Sequence, residues 1–245
     1  MTFMPVMPPS SSIVYALIAA LANVIGAVAV TSRRSWSHQS LELLIAFSAG
    51  FMISVSLVDI IPEAITTGGM QAGVLILAGF LLVHLTQHVF VHHFHFGEET
   101  HTVSQQVGVA ALIGLLLHTF VDGVAITSAF GVSASLGVLV FGAIVLHKLP
   151  EGVAIASLFL AAGGSRAMAF GAAALLGGAT ILGAVLTSVV APLASSGLAL
   201  SGGVTLYVGA SNLIPEFQGK PGWRHNIAFF GGCAAYYLVR TVALG

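Results

Sequence analysis

Leu146-His147-Lys148-Leu149-Pro150-Glu151-Gly152-Val153-Ala154-Ile155 lies inside an apolar run over 134–161. At about 1.5 Å of rise per helical residue, a run of that length crosses a bilayer core of about 30 Å. Its imidazole, ammonium and carboxylate are costly there, because a lone charged side chain near the bilayer centre costs about 3 kcal/mol on insertion scales. Such groups are kept where they meet partners. The preceding run supplies them: Leu117-His118-Thr119-Phe120-Val121-Asp122-Gly123-Val124-Ala125-Ile126 repeats the order His, three residues, acid, Gly-Val-Ala-Ile. Consecutive helices cross in opposite directions, so the repeat is inverted, the arrangement in which transporter sites lie near the midplane at the interface of the halves.

The rest of the sequence has the same character. Of 245 residues, 57% are apolar and 6% charged, with a mean hydropathy of +1.03, whereas soluble domains carry about 25% charged residues. Eight apolar stretches, near 12–31, 42–64, 71–91, 107–129, 134–161, 168–192, 198–217 and 226–244, are each long enough to span. They are continuous and rich in Ala, Leu and Gly, unlike the alternating strands of a β-barrel. The expected fold is therefore an all-α polytopic membrane protein of eight transmembrane helices. Breaks are expected at 32–35, 66–69, 92–106, 131–135, 163–166, 194–197 and 219–224; none is long enough to divide the chain, so 1–245 reads as one transmembrane domain. Spacings such as Ala179-x-x-x-Gly183 and Gly69-x-x-x-Gly73 suit close helix packing, and glycine-rich faces would permit a homodimer.

Seven Lys and Arg against eight Asp and Glu give a net charge of −1, which offers no basic surface for nucleic acid. With Cys233 the single cysteine, no intrachain disulfide or cysteine zinc cluster can form. Arg33, Arg34, Arg166, Lys220 and Arg224 all follow odd-numbered spans. By the positive-inside rule this places both termini outside and the histidine-rich segment near 92–106 in the cytoplasm. The expected location is a cell membrane, the inner one in a bacterium. The arginines follow the first apolar run rather than precede it, which reads as an anchor and not a cleaved signal.

Residues four apart share a helix face, so His118 with Asp122 and His147 with Glu151 can each turn an imidazole and a carboxylate toward one point. Two nitrogens and two carboxylate oxygens suit Zn²⁺ and also accept Fe²⁺, Mn²⁺ or Cd²⁺. The alternative is a pair of intrahelical His–acid hydrogen bonds. Pro150 denies the Leu146 carbonyl its helical partner and frees an oxygen beside His147. Asp59-Ile60-Ile61-Pro62-Glu63 and Asn212-Leu213-Ile214-Pro215-Glu216 end the second and seventh spans in related ways; Asp59, Glu63, Asn212 and Glu216 read either as a route to and from the centre or as interfacial helix ends. His84, His88, His92, His93, His95 and His101 gather in or near the inner loop, the first three spaced by four. They form a cytoplasmic metal-receiving or sensing site, or a solvated loop. His38 and His225 read as surface residues.

At these motifs the chain resembles the ZIP (Zrt/Irt-like protein) family of divalent metal transporters. The His147-Lys148-Leu149-Pro150-Glu151-Gly152 string carries the resemblance and His118-x-x-x-Asp122-Gly123 supports it. The resemblance implies a 3+2+3 arrangement of helices, no enzymatic activity, and zinc or a similar ion as substrate moving into the cytoplasm. It implies His118, Asp122, His147 and Glu151 as ligands, with Met52 matching a position that can supply a further one. Some members hold two adjacent metals, with Asn after the first His, Asp or Asn after the second, and Glu in span six. Here Thr119 and Lys148 stand at those positions and span six has no acid. The Lys148 ammonium is expected to take the second-metal place beside Asp122 or Glu151, leaving a one-metal site. Val121, where a proline would stand, implies that span four is less broken than span five.

Two other classes compete. A cation-diffusion exporter also sets His-x-x-x-Asp pairs in the membrane, but with six spans expected and often a soluble carboxyl-terminal domain. An intramembrane metal-dependent hydrolase needs an open metal position and a general base, and no His-Glu-x-x-His string is present.

Overall fold

The structure is a computed structural model that describes residues 9–32, 38–90 and 105–244, and every regular element among them is helical. The helices are α1 (Pro9–Thr31), α2 (His38–Val55), α3 (Ile61–Phe90), α4 (Gln105–Val132), α5 (Ala134–Ala161), α6 (Arg166–Val189), α7 (Ala191–Tyr207) and α8 (Arg224–Leu244). A π-helical turn, Ser56–Ile60, joins α2 to α3, and a second, Val208–Leu213, extends α7. Five stretches are long and apolar enough to cross a membrane, one of them the 45 residues of Glu42–Thr86. That stretch would rise about 68 Å as one helix, more than twice a bilayer core. Gly69 divides it: its φ of 58° and ψ of −144° belong to a region that only glycine adopts readily. The second crossing therefore comprises α2, the first π turn and the start of α3, and the third is α3 beyond Gly69. With α7 and α8, the chain is an all-α polytopic membrane protein.

Large apolar side chains point outward, among them Leu21, Val74, Leu182 and Leu238, each more than half exposed. In water that surface would be a liability; against lipid it is the ordinary exterior.

Helix neighbours come in matched pairs. α1 packs on α5 as α6 packs on α4, α2 on α8 as α7 on α3, and α4 on α7 as α5 on α2. Exchanging α1 with α6, α2 with α7, the third crossing with α8, and α4 with α5 leaves this pattern unchanged. Odd crossings map onto even ones, so the repeat is inverted and takes the 3+2+3 form. The tightest crossings repeat too. A Cβ on Gly152 would lie 2.0 Å from the Asn23 carbonyl of α1, and one on Gly123 would lie 1.9 Å from the Thr180 carbonyl of α6. Gly26 and Gly183 close the same two crossings from the other side. Gly50 and Gly232 do so between α2 and α8, as do Gly79 and Gly203 between α3 and α7. In lipid, where helices gain nothing by hiding apolar surface, such backbone contact is what holds them together.

Several boundaries differ from the sequence reading. The break before α7 falls at Val190, not 194–197, because extended Val190 precedes Pro192 in the first turn of α7, a position where proline's fixed φ and missing N–H suit a helix start. The Asp59–Glu63 motif does not end the second crossing; it sits at the π turn, and helix continues to Gly68. Gly183 packs as expected, but Gly69 is a break and Gly73 faces open space.

Candidate metal site

Gly123 and Gly152 each follow an acid, so two of the close helix contacts lie next to Asp122 and Glu151. They draw α6 onto α4 and α1 onto α5, and α4 packs on α5 with the two motifs facing. His118, Asp122, His147 and Glu151 are all buried, and one ligand atom from each lies within 4.8 Å of the others. A tetrahedral shell at about 2.1 Å would set ligand atoms about 3.4 Å apart, so small side-chain movements close it. The imidazoles lie with centroids 5.4 Å apart.

Tautomer chemistry sharpens the geometry. His147 Nδ1 lies 3.0 Å from the Ala143 carbonyl. A carbonyl can only accept, so Nδ1 carries the proton of a neutral imidazole and Nε2 is left a bare lone pair. That lone pair faces Asp122 Oδ2 at 3.3 Å, and His118 Nε2 faces the same oxygen at 3.5 Å. In the neutral ring this sets acceptor against acceptor, which a cation between them would reconcile, and a backbone carbonyl behind an imidazole is a usual way to aim it at a metal. His118, whose Nδ1 is unpartnered, can instead donate from Nε2 to Asp122. His118 Nδ1 and Glu151 Oε1 are buried without hydrogen-bond partners, which leaves further capacity at the cluster.

One cation is already built in. Lys148, wholly buried, places Nζ 2.7 Å from Asp122 Oδ2 and 3.0 Å from Glu151 Oε2. It bridges both carboxylates rather than one of them.

A model of the ZIP zinc transporter family matches residues 91–240 of this chain. The chain belongs to the ZIP zinc transporter family. ZIP proteins are membrane transporters of divalent metal ions and not enzymes, and the ion is their substrate rather than a resident cofactor. Comparison with curated proteins gives no match.

The remaining residues singled out from sequence fall elsewhere in this ZIP protein. Met52 is fully buried on α2, near the second π turn, where a Cβ on Gly209 would lie 3.5 Å from its own. Asp59, on the first π turn, accepts from Arg240 Nε at 3.0 Å and from the Tyr236 hydroxyl, so it is tied to α8. Glu63 and Asn212 are partly exposed; Glu216 is buried and has an interaction partner. His84 is exposed and stands 3.3 Å from the Tyr207 hydroxyl. The side chain of His88 and all of His92, His93, His95 and His101 lie outside the described residues. His225 is not a surface residue: it is buried, with Nε2 3.1 Å from Glu42, which also pairs with Lys220. Sequence reasoning passed over Arg240, Tyr236 and Glu42, whose partners are about 180 residues away and carry no local signal.

Proposed function

We propose that the chain carries divalent metal ions, zinc first among them, into the cytoplasm through a one-ion site made by His118, Asp122, His147 and Glu151. Fe²⁺, Mn²⁺ and Cd²⁺ suit the same mixture of imidazole and carboxylate. The observation that carries this reading is that ligand atoms of two buried imidazoles and two buried carboxylates lie within 4.8 Å of one another, with His147 Nε2 aimed at Asp122 by the Nδ1 contact to Ala143, a donor set that a divalent ion would fit. Lys148 fills the remaining anionic capacity and limits the site to one metal. Met52 would join only as a further ligand from α2. On this reading the chain works as one transmembrane unit with both termini outside and residues 92–106 on the cytoplasmic side. Ions pass from Asp59 and Glu63 to the site, then toward Asn212 and Glu216, and the histidines from His84 to His101 receive them.

The test is vectorial zinc uptake by sealed vesicles containing the purified protein, with Fe²⁺, Mn²⁺ and Cd²⁺ as competitors. Uptake that His147→Ala or Glu151→Ala abolishes is expected. Uptake unchanged in both variants would overturn the site, and flux directed only outward would favour an exporter.

A further inference from the structure

Pro150 sits within α5 between His147 and Glu151, and its ring nitrogen has no proton for the Leu146 carbonyl one turn earlier. In hydrocarbon an unpaired carbonyl is costly, since no water is at hand to satisfy it. The missing hydrogen bond comes from another helix: Ser48 of α2, fully buried, places Oγ 3.0 Å from the Leu146 carbonyl and 2.7 Å from the Leu44 carbonyl of its own helix. A hydroxyl has one proton, so the two carbonyls share it.

The inverted repeat contains a control. The residues 153 positions after Asp59, Pro62 and Gly50 are Asn212, Pro215 and Gly203, and the same offset carries Ser48 onto Ser201 of α7. Opposite Ser201 stands α4, whose Val121 takes the place of Pro150 and keeps its N–H. There no carbonyl is freed, and Ser201, equally buried, donates back to Leu198 of its own helix at 2.9 Å. The serine shares its proton between its own helix and the neighbour where the proline is, and bonds its own helix where it is not.

We propose that Ser48 is a positioning residue of the metal site. From α2 it supplies the hydrogen bond that Pro150 denies to Leu146, and so fixes the broken turn of α5 that carries His147 and Lys148. It touches no ion itself. The inference rests on the reading of His147 and Glu151 as ligands and adds to it a residue that couples α2 to the ligand-bearing helix.

The experiment is a zinc-binding isotherm on the purified full chain, for wild type, Ser48→Ala, Pro150→Ala and the double variant, with metal-free thermal unfolding beside it. Ser48→Ala should bind zinc about threefold to tenfold more weakly, the range for one lost hydrogen bond in a membrane or protein interior. Pro150→Ala returns an N–H to the helix, so the double variant should bind zinc as Pro150→Ala alone does. Independent, multiplying losses in the double variant would overturn the proposal, as would full affinity in Ser48→Ala. If Pro150→Ala does not fold, Ser48→Thr and Ser48→Val decide the matter: equal in shape, they should differ in zinc affinity because only Thr keeps the hydroxyl, and equal affinity overturns the proposal. Zinc binding left intact by His147→Ala would instead sink the ligand assignment, while non-additive unfolding of the Ser48 and Pro150 variants would still report their coupling.

Discussion

Replacing Lys148 by methionine keeps most of the side chain's length and removes its charge. The change strips the ammonium from 2.7 Å of Asp122 and 3.0 Å of Glu151, leaving two buried carboxylates with no cation. Removing one member of a buried ion pair costs about 3–5 kcal/mol, chiefly because the survivor stays desolvated and unpaired. Here one cation serves two anions, so the metal-free protein should lose at least the lower figure. A divalent ion then becomes the only cation at the site and recovers much of that loss on binding. With 1.4 kcal/mol per factor of ten, recovery of about 3 kcal/mol tightens zinc binding by about two orders of magnitude. Thermal unfolding in detergent, with and without saturating zinc, reads the first effect, and a zinc isotherm reads the second. Lys148→Met should show a lowered Tm without metal that zinc restores, and Lys148→Ala, which also vacates volume, should hold two zinc ions per chain in place of one. A metal-free Tm equal to wild type, or an unchanged metal count in Lys148→Ala, would refute the assignment of Lys148 as the cluster's resident cation.

Gly152→Ala should destabilise the protein by about 3 kcal/mol or more, because the obstacle is a backbone carbonyl that cannot turn aside; Gly171→Ala, with open space around it, is the control in the same unfolding assay. Asp59→Asn breaks a partly exposed pair with Arg240, so the expected loss is at most about 1 kcal/mol, and zinc affinity at the central site should not change. Zinc binding should weaken as pH falls, since ligation needs neutral imidazoles and ionised carboxylates. An isotherm series that is flat between pH 7.5 and pH 5.5 would contradict a His and carboxylate donor set, whose free groups titrate at about 6.5 and about 4.

The crossings were legible from apolar run length, and the facing of α4 and α5 from two copies of one motif. Both signals are local, and repetition makes them emphatic. The Gly69 break could also be read, since paired glycines after two threonines interrupt an otherwise continuous run. What escaped were features that depend on a partner remote in the chain. The π turns at Ser56–Ile60 and Val208–Leu213 leave no mark on hydropathy, because adding one residue to a helical turn does not alter composition. His225 reads as a surface residue in sequence because its partner Glu42, near the start of α2, is remote in the chain. Ser48 carries no local signal, because its partner Leu146 is 98 residues away. Lys148 was expected beside one carboxylate or the other, and one-dimensional spacing could not reveal that α4 and α5 approach closely enough for it to bridge both.

The lysine inside the cluster also has an electrical meaning. Counted with ionised carboxylates and neutral imidazoles, the form that ligation requires, Asp122, Glu151 and Lys148 together carry one negative charge. A bound divalent ion turns that into one positive charge. A membrane potential acts on the two forms in opposite senses, at about 2.3 kcal/mol per elementary charge for each 100 mV crossed. With the cell interior negative, the loaded cluster would be drawn inward and the vacant one driven outward, so under the proposed inward transport the voltage would favour both legs of the cycle. Without Lys148 the loaded cluster would be neutral, and the field would act on the return leg alone.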